Sequence, residues 1–133
     1  MTISIRVITP DRIVCSTAAE EIILPSTTGK LGILNGHAPL ITALDIGVLR
    51  IKMDQKWTPM ILFGGFAEVD KDQITILVND VEEAESLKLN EVTNALEKAT
   101  IAVENAETSK EKIEASQNLK KASARVQAST FLN

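Results

Sequence analysis

Every glycine and every proline of this chain lies at or before Gly65, and residues 66–133 contain neither. Glycine reaches positive φ at no steric cost, and proline fixes φ while removing a ladder donor, so their clustering marks a turn-rich, β-type first part. Their absence afterwards lets long helices run unbroken. The chain therefore reads as two units, a β module over residues 1–84 and a helical tail over residues 85–133. At 133 residues and 44% hydrophobic the chain can bury a real core, but the alanine-rich, polar tail could not do so alone.

Within the first unit apolar and polar residues alternate between turn signals about 8 to 12 residues apart, the pattern of a sandwich or barrel. Ile3, Ile5 and Val7 share one face, and Ile22 to Leu24, Ile33-Leu34 and Leu40 to Ala43 read as further strands. Leu49, Ile51 and Met53 alternate with Arg50 and Lys52, and Asp54-Gln55-Lys56 reads as the turn into a strand from Trp57 to Phe63. Asp70-Lys71-Asp72 separates Phe66 to Val69 from Ile74, Ile76 and Val78, whose neighbours Thr75 and Leu77 point to the opposite side. At least eight short strands are expected.

In the tail the period changes from two to about 3.5. Leu89, Val92, Leu96, Ala99, Val103 and Ala106 form one apolar seam, and Ala115, Leu119, Ala122 and Val126 a second. The break falls at Thr108-Ser109, where Thr108 and Glu111 make a capping-box signal. The expectation is an antiparallel pair of helices held by a thin alanine and valine seam, marginal by itself because a buried alanine contributes little beside the ~1.5–3 kcal/mol of a leucine or valine. Residues 82–107 carry seven acidic and two basic side chains, whereas residues 110–125 carry five basic and two acidic ones. Either the two helices pair with each other through these charges, or the cationic helix meets an acidic surface on a partner.

With 14 basic against 18 acidic residues, the balance argues against nucleic-acid binding by phosphate neutralisation. The single cysteine, Cys15, excludes an internal disulfide and reads as a small buried hydrophobe in a strand. One histidine and one cysteine supply neither a metal cluster nor a nucleophile and base pair, so catalysis, a metal and a cofactor are not expected. The N-terminus lacks a basic segment followed by an apolar run, and no stretch reaches the roughly 18 apolar residues of a membrane span, so neither a leader nor a direct span is expected.

The densest cluster of special residues is Gly29-Lys30-Leu31-Gly32-Ile33-Leu34-Asn35-Gly36-His37-Ala38-Pro39-Leu40. It is not a Walker loop, because Gly29-Lys30 is followed by leucine and a strand pattern. It reads as a structural loop with two tight turns, one of them needing positive φ at Gly36. The string from Gly32 to Leu40, followed by Thr42-Ala43 and Gly47, then Gly64-Gly65-Phe66 and Ile74-Thr75-Ile76-Leu77, resembles the epsilon subunit family of the rotary ATP synthase. The match covers the whole chain. The opening Ile5-Arg6-Val7-Ile8-Thr9-Pro10-Asp11-Arg12 with Glu21-Ile22-Ile23-Leu24-Pro25 is similar to the plastid and cyanobacterial branch.

The resemblance implies a mainly β plus α fold, a ten-strand β-sandwich followed by a two-helix hairpin. It also implies a non-catalytic rotor part between the gamma subunit and the ring of c subunits, peripheral to the stromal side of the chloroplast thylakoid membrane or the cytoplasmic side of a cyanobacterial one. On that likeness a loop of Gly29, Lys30, Leu31 and Gly32 faces the c ring with Lys30 at its tip. Thr9, His37, Ala38 and Pro39 lie toward gamma. The helical pair regulates ATP hydrolysis by extending toward the alpha/beta catalytic head, with Lys120, Lys121 and Arg125 as inhibitory charges. Some bacterial members bind ATP through an Ile/Leu-Asp-x-x-Arg-Ala motif, from which Leu87-Lys88-Leu89-Asn90-Glu91-Val92 departs: lysine replaces the aspartate and glutamate the arginine. Lys30 equally fits a solvated turn lysine. The alternative reading is a generic sandwich and helical-hairpin interaction module.

Overall fold

The computed structural model describes residues 2–131. Its elements are β1 (Ile3–Ile8), β2 (Ile13–Ala19), β3 (Glu21–Ser26), β4 (Gly29–Leu34), β5 (Leu40–Met53), β6 (Lys56–Asp70), β7 (Gln73–Val78) and β8 (Val81–Glu83). A short 3-10 turn, Ala84–Ser86, leads to α1 (Leu89–Asn105) and α2 (Ser109–Phe131). The strands follow one hydrogen-bonded path, β2-β1-β7-β6-β5-β3-β4, with β8 added to β6.

That single sheet becomes a sandwich because β5 and β6 bend together. Their register steps from Leu44 opposite Gly65 to Ile46 opposite Phe63, leaving Asp45 and Gly64 without a ladder partner. On one side of the bend β6 pairs with β7, and on the other with β8. The first layer thus holds β2, β1, β7 and the adjoining halves of β6 and β5. The second holds β4, β3, the remaining halves and β8. Counted by straight segments there are five strands in each layer, ten in all. The sequence reading ended a strand at each of these bends. Instead Gly64 and Gly65, both at positive φ, redirect the chain, and the β5–β6 pairing resumes in the same register.

Gly65 shows the geometry most sharply. Its φ is +149°, and a Cβ built on it would fall 2.0 Å from the Leu77 carbonyl oxygen. The backbone of β7 occupies the space any side chain would need.

Both expected hairpins are two-residue turns. Asp54 and Gln55 carry φ of 51° and 65°, and Lys71 and Asp72 carry 48° and 62°. Positive φ at both central residues is the type I′ turn that matches strand twist. Gly36 likewise has φ +86°, and its N–H donates to Asp72 Oδ1 at 2.6 Å, tying this turn to the β6–β7 hairpin.

The expectation of a loop at Gly29, Lys30, Leu31 and Gly32 is corrected by the structure. These residues open β4, antiparallel to β3, with Lys30 opposite Pro25 and Gly29 opposite Ser26. The hairpin tip is Thr27-Thr28. Glycine spacing misled because β4 is an edge strand, where an absent side chain is tolerated.

Between the layers lies the main core, including Ile3, Ile5, Val7, Leu24, Leu49, Leu62 and Ile76, all fully buried. Cys15 sits half-buried in β2, and burial pushes its thiol pKa up. A second, smaller cluster joins Val48, Ile61 and Ala84 to Ala124 and Ala128 of α2. The helices pack on each other along the expected seam: Val92, Leu96, Ala99 and Val103, like Ala115, Leu119, Ala122 and Val126, are buried or half-buried. Leu89 is the exception and is exposed. At the break, Glu111 N–H donates to Thr108 Oγ1 at 3.1 Å, while Glu111 Oε2 accepts from the Glu107 amide, one residue earlier than a standard capping box. Because α2 has a second small-residue face at Ala124 and Ala128, it lies between α1 and the second layer.

Candidate docking faces

The two outer faces of the sandwich differ. On the second layer α2 covers Val48 and Ile61. On the first layer, register aligns one residue from each strand into a row: Ile13 opposite Ile8, Ile8 opposite Leu77, Leu77 opposite Phe66, and Phe66 opposite Ala43. Every member is apolar. Ile13, Leu77 and Phe66 are 55%, 52% and 60% exposed. The next row mixes Ile41, 74% exposed, with Glu68, Thr75 and Arg6. A shallow groove of about 660 Å³ runs beside the apolar row, lined by Ile8, Thr9, Ala43, Phe66 and Leu77 among others. An apolar band with a charged flank is the anatomy of a protein interface.

The residues expected toward gamma do not form one cluster. Thr9 follows Ile8 at the Leu77 end of this layer, where it lines the groove, and its N–H donates to the Arg12 carbonyl at 3.0 Å. His37, Ala38 and Pro39 sit at the other end, next to the turn that Gly36 ties to Asp72. The His37 N–H donates to the Leu34 carbonyl, and its Nδ1 lies 2.7 Å from the Ala38 carbonyl oxygen. The intervening length of β7, Leu77 back to Gln73, separates the groups by roughly 13 Å. They bracket the layer instead of meeting.

Lys120, Lys121 and Arg125 of α2 are engaged with the sandwich. Arg125 donates to both Glu82 oxygens, Nε at 2.8 Å and Nη2 at 2.6 Å, and Lys120 lies 3.3 Å from Asp45. Lys121 Nζ sits 5.6 Å from the centre of the Phe63 ring. Among the described residues neither ion pair joins α2 to α1. The expectation that the helices pair their charges with each other is therefore corrected. Glu82, counted in sequence with the acidic helix, is in β8 beneath α2.

The Glu82–Arg125 pair sets a pH dependence. The hydrogen bond from Arg125, helped by the charges of Arg125 and Lys121, holds the Glu82 carboxyl below its ordinary 4.5 despite partial burial. A depressed folded value means stability that is complete above about 4.5 and lost as pH falls through the lower one. Thermal melts of wild type and Glu82→Gln are expected to differ at neutral pH and to converge on acidification. A constant gap would show that the pair does not hold the helix.

Residues 2–84 match the family pattern described as ATP synthase, Delta/Epsilon chain, beta-sandwich domain. Along its whole length the chain is 59% identical to the "ATP synthase epsilon chain, chloroplastic" of Phaeodactylum tricornutum, covering 100% of both. The chain belongs to the ATP synthase delta/epsilon chain family. To the protein of the same description from Porphyra purpurea it is 58% identical over 130 residues, 98% of this chain and 97% of that one. Its fold is shared by a chain in the cryo-EM structure of Euglena gracilis mitochondrial ATP synthase, OSCP/F1/c-ring in rotational state 1. That likeness has a TM-score of 0.85 at 20% identity, covering 96% of this chain and 81% of the other.

Among the features of this epsilon-type chain, the apolar row was partly visible in sequence: Leu77 alternates out of phase with its buried neighbours. Arg50, Trp57, Asp45 and Phe131 gave no signal, because their meeting depends on how α2 lies on the second layer.

Proposed function

We propose that this protein is the epsilon subunit of a rotary ATP synthase, a non-catalytic part of the central stalk, and that it works in the chloroplast. Full-length identity to chloroplastic epsilon chains supports that assignment. On the finer scale, the apolar row of the uncovered layer is the surface for gamma, and this is the observation that carries the reading: five strands present aligned apolar side chains on the face opposite the helices. Thr9, His37, Ala38 and Pro39 flank that surface at its two ends. The β3–β4 hairpin bearing Gly29, Lys30, Leu31 and Gly32 meets the c ring. The α1–α2 hairpin restrains ATP hydrolysis when it leaves the sandwich for the alpha/beta head. The complex places the subunit on the stromal side of the thylakoid membrane, and no described helix is long and apolar enough to cross one.

Phe66→Asp tests the surface. Phe66 is exposed, so folding should change little, while binding to gamma should weaken about 100-fold, the scale of losing an aromatic anchor. Unchanged gamma affinity would move the docking surface elsewhere. Association with an unrelated complex alone would revive the generic module.

Lys30→Glu addresses the hairpin. Proton-coupled synthesis by reassembled membranes is expected to fall, while inhibition of the detached head stays near normal. The opposite pattern would remove this hairpin from the ring.

A further inference from the structure

Arg50 lies where the end of α2 meets the second layer. Its guanidinium carbon is 4.7 Å from the centre of the Trp57 ring and 4.2 Å from that of Phe131. Its buried Nε has no hydrogen-bond partner. Arg50 as a whole is half-buried, but a buried guanidinium nitrogen without an acceptor is costly, and two ring faces are what offset it here. One ring belongs to β6, while the other is the last described residue of α2. Lifting α2 therefore takes away half of the arrangement and returns Arg50 to water.

The other attachments of α2 differ in kind. Lys120–Asp45 is exposed on both sides, and Glu82–Arg125 is about one-third exposed. Both weaken as salt rises, whereas a cation held between rings is screened less. From Lys120 to Phe131 these attachments span roughly 16 Å of helix. They all start on α2, so α1 is carried with it.

We propose that Arg50, clasped between Trp57 and Phe131, is a latch that keeps the helical hairpin on the sandwich, and that its opening begins release of the arm. The idea rests on the reading of that hairpin as a regulatory arm. The last turn of α2 detaches first, and Glu82–Arg125 then yields as a separate step.

Trp57 is the only tryptophan and the chain has no tyrosine, so its emission reports on the latch directly. In the full-length chain, Phe131→Ala should shift that emission to the red and speed amide exchange in the second half of α2 about tenfold, leaving interior β5–β6 amides unchanged. Arg50→Gln should reproduce the exchange effect. Asp45→Asn, which breaks only the exposed ion pair, should change exchange less than about twofold. Unaltered exchange in Phe131→Ala, or an equal effect from Asp45→Asn, would overturn the latch. In the reassembled synthase, Phe131→Ala should lower ATP hydrolysis by favouring the extended arm. Accelerated exchange with unchanged hydrolysis would leave the latch standing and overturn the regulatory reading of the hairpin.

Discussion

Removal of every residue after Glu83 is expected to leave a folded sandwich that still binds gamma and to abolish most inhibition of ATP hydrolysis. The main core contains no helix residue, since it is built from β1 to β7 with Val81 packed against it. The helices contribute to a separate cluster, and β8 survives the cut. What is lost is cover: Val48 and Ile61 become exposed, so the truncated protein should be less soluble without ceasing to unfold cooperatively. Urea unfolding, capture by gamma and ATPase titration measure the three consequences separately. Non-cooperative unfolding would mean that the sandwich needs its helices. Full inhibition by the truncated form would mean that the sandwich itself is the brake.

Gly65→Ala should be the most damaging of the glycine-to-alanine substitutions. The added methyl would lie 2.0 Å from the Leu77 carbonyl oxygen and 2.9 Å from Val78 Cα, both backbone atoms, and φ of +149° is already adverse for alanine. No rotamer can relieve a clash with a neighbouring strand. A loss of roughly 3 kcal/mol or more is expected from strain and overpacking combined. Urea midpoints would record it. The same change at Gly36, whose Cβ would meet nothing within 4 Å, should cost much less because only the backbone angle opposes it. Equal losses at the two sites would show that φ alone sets the cost.

The contrast between those glycines reflects how much the sequence could tell. Local chemistry was readable: Asp54-Gln55 and Lys71-Asp72 are turns because a polar pair containing an aspartate sits between alternating runs, and Thr108 caps α2 because its hydroxyl reaches the Glu111 amide. Helical spacing disclosed the seam from Val92 to Val126. The second face of α2 was hidden, since Ala124 and Ala128 resemble any surface alanines until the layer beneath them is known. Glycines at Gly29 and Gly32 resembled loop residues, yet both lie in an edge strand. The apolar row depends on register across five strands, which only pairing determines. Lys120, Lys121 and Arg125 showed in sequence as a basic run, but their attachment to Asp45, Phe63 and Glu82 depends on how the tail folds back.

The continuity of β5 and β6 through both layers has a mechanical meaning. In many sandwiches the two sheets touch only through side chains, and such an interface can shear. Here two backbones, laddered to each other along almost their whole length, run from the layer holding Phe66 into the layer that supports β3 and β4. A twisting load entering at one face would travel along covalent bonds and ladder hydrogen bonds to the Lys30 hairpin, with little slack taken up by sliding. Such a module is torsionally stiff, which is what the proposed role between a turning shaft and a ring would require.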